Sequence, residues 1–122
     1  MSKPIEAFEE LQRDNIVFFP DLKDVYRFWT TSPSPISKKR YENLEKRLER
    51  DYSLCNVESI HKQTSTEKKF ELNGKTVLTI STQIPKGNEI VIRQIDISKK
   101  YEDKERLADY LIRIMAGKIN KL

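Results

Sequence analysis

The sequence predicts an α+β domain with an N-terminal three-helix segment, an antiparallel β-meander of three to four strands, and a C-terminal helix docked on the sheet. Three observations predict it. Between Lys75 and Ile84 the even positions (Thr76, Leu78, Ile80, Thr82, Ile84) are mostly apolar and the odd ones (Lys75, Val77, Thr79, Ser81, Gln83) mostly polar. Such alternation sets one face of a strand on a core and the other toward water. The pair Asn73-Gly74 and the run Pro85-Lys86-Gly87-Asn88 are turn signals that fold the stretch from Phe70 to Ile97 back on itself. Apolar residues at helical spacing flank this stretch, with Tyr41, Leu44, Leu48 and Tyr52 before it and Leu107, Leu111 and Ile114 after it. At 122 residues the chain is a single domain, residues 1–122. That length buries a core without help from a disulfide or a metal.

In chain order, Pro4 suits the first position of a helix, with Ile5, Phe8, Leu11 and Gln12 on one side and Asp14-Asn15 at its end. Ile16 to Phe19 reads as a short buried strand or an apolar tether. Pro20 keeps Phe19 extended, and Asp21 caps a second helix whose core side carries Leu22, Val25, Tyr26 and Trp29. Thr30 to Pro35 is a loop. Ser34 and Pro35 then open a third helix, Pro35 to Tyr52. Leu54 to Thr64 is predicted as a strand, and Ser65 to Lys69 as a turn or the ragged start of the next one.

Parity sets the expected register. A two-residue Asn-Gly loop would pair Leu72 with Lys75 and put Phe70 and Leu72 opposite the wrong face of the next strand. A three-residue loop, Leu72-Asn73-Gly74, sets Phe70 against Thr76 and Glu71 against Lys75, and this second register is preferred. In the following hairpin Ile84 pairs with Ile90 and Thr82 with Ile92. The apolar phase then jumps from Ile92 to Ile95, which implies a bulge at Arg93-Gln94 or the end of the strand there. Ser98 caps a final helix, Lys99 to Ala116, and Gly117 ends it.

Chemistry-bearing groups are sparse. Cys55 is the single cysteine and His61 the single histidine. Six residues apart on one strand they lie ~20 Å from each other, beyond the reach of a thiolate–imidazole pair. One cysteine excludes an internal disulfide and a cysteine-rich metal site. Three glycines and no phosphate-loop motif argue against a nucleotide cradle. Pro20-Asp21 followed by Glu67-Lys68-Lys69 matches, as a scattered pattern, the two carboxylates and lysine of metal-dependent nucleases. The first expectation is a non-enzymatic protein without cofactor or metal, with a metal-dependent nuclease-like domain as the lesser alternative. No secretory signal or membrane-length apolar run is present, which predicts a soluble, cytoplasmic protein with no membrane partner.

Charge supplies the functional readings. The net charge is +4, distributed as −2 over residues 1–34, +2 over 35–53, +1 over 54–98 and +3 over 99–122. On the third helix Glu42, Glu45 and Glu49 form an acidic flank. Lys39, Arg40, Asn43, Lys46, Arg47 and Arg50 gather within an arc of roughly 120° away from the core. Arginines contact phosphates and guanine edges, and asparagine reads adenine. Helix, short strand, helix, helix, strand and hairpin resembles the element order of a winged helix-turn-helix, with 35–52 as recognition helix and the Asn73-Gly74 hairpin as wing. The first reading is therefore a nucleic-acid-binding regulator, whose partner is nucleic acid or another acidic macromolecule. The second is a protein-interaction or assembly module, a dimer or adaptor, using the sheet edge or helix 35–52.

Overall fold

Residues 25–30, expected as the core of the second helix, are a strand in the computed structural model, which describes residues 16–83 and 89–117. The first expected helix, from Pro4, lies outside the described residues. Val-Tyr-Arg-Phe-Trp-Thr is β-branched and aromatic, and such residues favour a pleated surface. Tyr26, Phe28 and Thr30 also alternate inward at period two, so Val25, Tyr26 and Trp29 at helical spacing were one of two periods the segment satisfies. The strand won because it finds ladder partners on both sides.

The elements are β1 (Ile16–Phe19), β2 (Val25–Thr30), β3 (Ile36–Ser37), α1 (Lys38–Tyr52), β4 (Cys55–His61), β5 (Ser65–Leu72), β6 (Lys75–Gln83), β7 (Glu89–Ser98) and α2 (Lys104–Met115). Every strand pairing is antiparallel. The sheet runs β1-β2-β7-β6-β5-β4, with β3 also paired to β7. This corrects the expected architecture. The described chain is chiefly a seven-stranded antiparallel sheet with two helices, in place of a three-helix segment and a short meander. The β1–β2 hairpin adds to the far side of β7, and the winged-helix element order is therefore absent.

The two helices bury their apolar sides. On α1 these are Tyr41, Leu44, Leu48 and Tyr52, and on α2 Leu107, Ala108, Leu111, Ile112, Ile114 and Met115. They join Phe28, Phe70, Leu78, Ile80, Ile92, Ile95 and Ile97 from the strands in one core. α1 begins at Lys38, later than expected, because Ile36 and Ser37 pair with Ile90 and Glu89, and Ser37, not Ser34, accepts from the Arg40 amide at 3.1 Å. Ser34 instead donates its backbone N–H to the Met115 carbonyl at 3.2 Å, closing the C-terminal end of α2. α2 likewise starts later than Lys99, with Asp103 at its N-cap position, and Ser98 accepts from the Lys100 amide in the preceding turn. No helix among the described residues is long and apolar enough to cross a membrane.

Registers differ from expectation at one hairpin and agree at the other. Leu72 pairs with Lys75 across a two-residue turn, where Asn73 (φ 53°) and Gly74 (φ 78°) both adopt the left-handed conformation. The parity conflict is resolved further along. Phe70 pairs with Leu78, so Val77 is the extra residue and buried Phe70 and Leu78 share the core face. In the next hairpin Thr82 pairs with Ile92 and Ser81 with Gln94, making Arg93 the bulged residue. The Ile84–Ile90 pair involves a residue outside those described.

Candidate functional site

α1 carries the six residues singled out from the sequence, and the structure does not leave them as one cationic surface. Lys39, Lys46 and Arg50 are exposed, whereas Arg40, Asn43 and Arg47 are half-buried. Arg47 and Arg50 converge on the same carboxylate: Asp51 Oδ2 lies 3.1 Å from Arg47 Nε, and Asp51 Oδ1 lies 2.9 Å from Arg50 Nε. The hydrogen bond from Arg50, and then that from Arg47, hold the Asp51 carboxyl below the usual range. Arg47 also lies 5.1 Å over the Tyr110 ring, Tyr110 stacks on Tyr52 at 6.2 Å, and Arg106 covers the other ring at 4.4 Å. This alternation of cations and rings joins α1 to α2, so Arg47 serves packing before anything else.

The acidic flank of the same helix faces the end strand of the sheet. Glu42, Glu45, Lys46 and Glu49 line one side of a groove of about 390 Å3, and Leu54, Cys55, Asn56 and Phe70 line the other. Glu45 is held by Lys68 at 2.7 Å. Among the described residues Glu42 and Glu49 make no ion pair. Sequence reading noted these glutamates only as a flank. What it could not see is that β4 runs back alongside them.

β4 ends the sheet, and no described element pairs beyond it. Six of its seven residues are exposed, and Val57, left out of the pairing between Asn56 and Glu58, is 52% exposed. The opposite edge, β1, has four residues, with Val17 and Phe19 exposed. An unpaired strand edge presents a row of backbone donors and acceptors.

The catalytic patterns do not assemble. Cys55 and His61 sit at opposite ends of β4, and His61 Nδ1 lies 3.2 Å from Thr66 Oγ1. Asp21 follows β1 while Glu67 is on β5, with β2, β7 and β6 between them. Lys68 pairs with Glu45, and Lys69 lies 3.7 Å from Glu58. No group of three or more His, Cys, Asp or Glu side chains that could hold a metal ion occurs among the described residues. A larger groove of about 750 Å3 opens between the residues before β2, the end of α1, the β5–β6 turn and the β7–α2 loop; Asp51 and Asp103 on it are held by Arg47, Arg50 and Arg106, and Lys23, Lys75, Lys99 and Lys100 line it beside Asp24 and Glu102. In comparisons with known proteins the chain matches no family model, no curated protein and no solved structure.

Proposed function

We propose that the protein is a non-enzymatic interaction module that takes an extended segment of a protein partner along β4 by strand addition. The observation that carries this reading is a seven-residue terminal strand with six exposed residues, paired to β5 on one side and to no described strand on the other. Strand addition draws its affinity from main-chain hydrogen bonds and its selectivity from side-chain pockets. β4 supplies the first along ~23 Å of edge, and the groove against α1 supplies the second. The bulge at Val57 and the charge of Glu58 are the devices by which edges avoid indiscriminate pairing. They restrict addition to partners that fit.

The test titrates isotope-labelled protein with a neutral peptide of about eight alternating Thr and Gln residues, matched to the length of β4. Amide shifts should concentrate on residues 55–61. They should disappear with the same peptide N-methylated at alternate residues, which cannot complete the ladder. Shifts lying elsewhere, or indifferent to N-methylation, overturn the proposal. The competing outcome is nucleic acid on the outer side of α1, where Lys39, Lys46 and Arg50 are exposed. A short duplex held at about 50 mM salt, released at about 200 mM, and lost on combining Lys39→Ala with Lys46→Ala would move the function there.

A further inference from the structure

We infer that the segment accepted by β4 is basic, with lysine or arginine at alternate positions, and that the same charges keep two copies of this chain from pairing through that edge. The inference rests on strand addition at β4 and names the partner's chemistry. An incoming strand beside β4 would point alternate side chains into the layer occupied by α1. The wall it meets there is the acidic flank. Glu42 and Glu49 are exposed and without ion-pair partners among the described residues. Seven helical positions place them ~10 Å apart along α1. Side chains on one face of a strand recur every ~6.8 Å, so residues at i and i+2 approach both carboxylates within the reach of flexible lysines.

The opposing charges are few. Lys46 lines the same groove, while Lys68 and Lys69 are engaged by Glu45 and Glu58. The groove therefore keeps a net negative wall with an apolar floor at Leu54 and Phe70, both buried. Leu54 and Phe70 are already covered by the fold at 1% exposure each, so the attraction for a lysine or arginine is carried by the glutamates. A second copy is disfavoured by the same charges. Antiparallel pairing of β4 with its twin about a twofold axis sets the two acidic flanks against each other, and a register centred on Glu58 places the two Glu58 residues opposite each other, a destabilising like-charge pair.

The experiment compares three peptides of about eight residues, alternating Thr with Lys, Gln or Glu, at about 50 mM salt, by amide shifts on residues 55–61. Two exposed charge pairs predict roughly threefold to tenfold tighter binding of the lysine peptide than of the glutamine one, weaker binding of the glutamate peptide, and a gap that closes at about 500 mM salt. Glu42→Gln combined with Glu49→Gln should bring the lysine peptide's affinity down to that of the glutamine peptide and remove its salt dependence. Equal binding of the lysine and glutamine peptides, or a preference that survives both substitutions, overturns the basic partner and leaves strand addition standing. Failure of all three peptides to shift β4 overturns strand addition and the basic partner together.

Discussion

Tyr41 shows how a single side chain can be apolar in role and polar in chemistry. Its ring belongs to the core side of α1 at 4% exposure, and its hydroxyl makes no direct hydrogen bond among the described residues. Burial raises its pKa first, and the neighbouring charge of Glu45 raises it further. Lys68 sits 5.2 Å over the ring while holding Glu45 at 2.7 Å. A folded-state pKa above the unfolded one, about 10, means that this residue's stabilisation is complete below that pH and is lost as pH rises past it. Tyr41→Phe removes an unsatisfied buried hydroxyl. The variant should match the parent or exceed it by up to ~1 kcal/mol at neutral pH, and lose less stability than the parent above about pH 10 in denaturant unfolding. A cost above ~1 kcal/mol at neutral pH would show that the hydroxyl is bonded. Arg47 and Arg50 teach the complementary lesson. A helical wheel put both in one cationic arc, but Asp51, a nearest neighbour in sequence, binds both of them.

Between residue and fold, the bulge at Arg93 shows what an element can settle. Its guanidinium donates from Nε and Nη2 to Gln83 Oε1 at 3.1 and 2.8 Å, and from Nη1 to the Thr30 and Thr31 carbonyls at 3.2 and 3.3 Å. The extra residue thus ties β6 to the exit of β2, in the gap that separates β2 from β3 along β7. Arg93→Ala should cost ~2–3 kcal/mol in unfolding free energy, since charged hydrogen bonds are broken and carbonyls are left bare. Arg93→Lys should recover little of it, because a single ammonium cannot reproduce the planar fork. A loss below ~0.5 kcal/mol would mean the bulge holds itself without this side chain. The phase jump from Ile92 to Ile95 made this bulge legible in the sequence. The stripes of α1 and α2 were legible too: every residue that helical spacing selected is buried, and α2 adds Ala108, Ile112 and Met115 to them. At the Asn73-Gly74 hairpin the parity conflict was legible but not its remedy. A wider loop and a bulge at Val77 satisfy Phe70 equally, and the left-handed pair Asn73 and Gly74 decides for the tight turn. For residues 25–30 both periods fit, and only partners distant in sequence break the tie.

Those distant partners are what sequence patterns do not carry. Arg27 and Asp96 stand 69 residues apart, yet form two 2.9 Å hydrogen bonds across the β2–β7 ladder. Local alternation marks each as a strand residue and says nothing of the pairing. Because β2 joins β7, β7 becomes an interior strand with neighbours on both sides, and the edges of the described sheet are the short β1 and the longer β4. The candidate site therefore exists only at the scale of the whole sheet, while the glutamates beside it were visible from the outset. The same order predicts a gradient of local stability. Interior strands open only when the molecule unfolds, whereas edges fray at lower cost. Amide exchange should be slowest at Leu78, Ile80, Ile95 and Ile97, whose side chains are fully buried, and faster along residues 55–61. Adding a basic strand peptide should slow β4 toward the interior value, because occupied backbone donors no longer exchange with solvent. Protection of β4 equal to that of β7 without peptide would mean that the edge is already covered. Protection rising with protein concentration would identify the cover as a second copy, against the repulsion expected between two acidic flanks. Fast exchange at β4 at every concentration, slowed only by a lysine-bearing strand, is the pattern that an open edge with a charged wall requires.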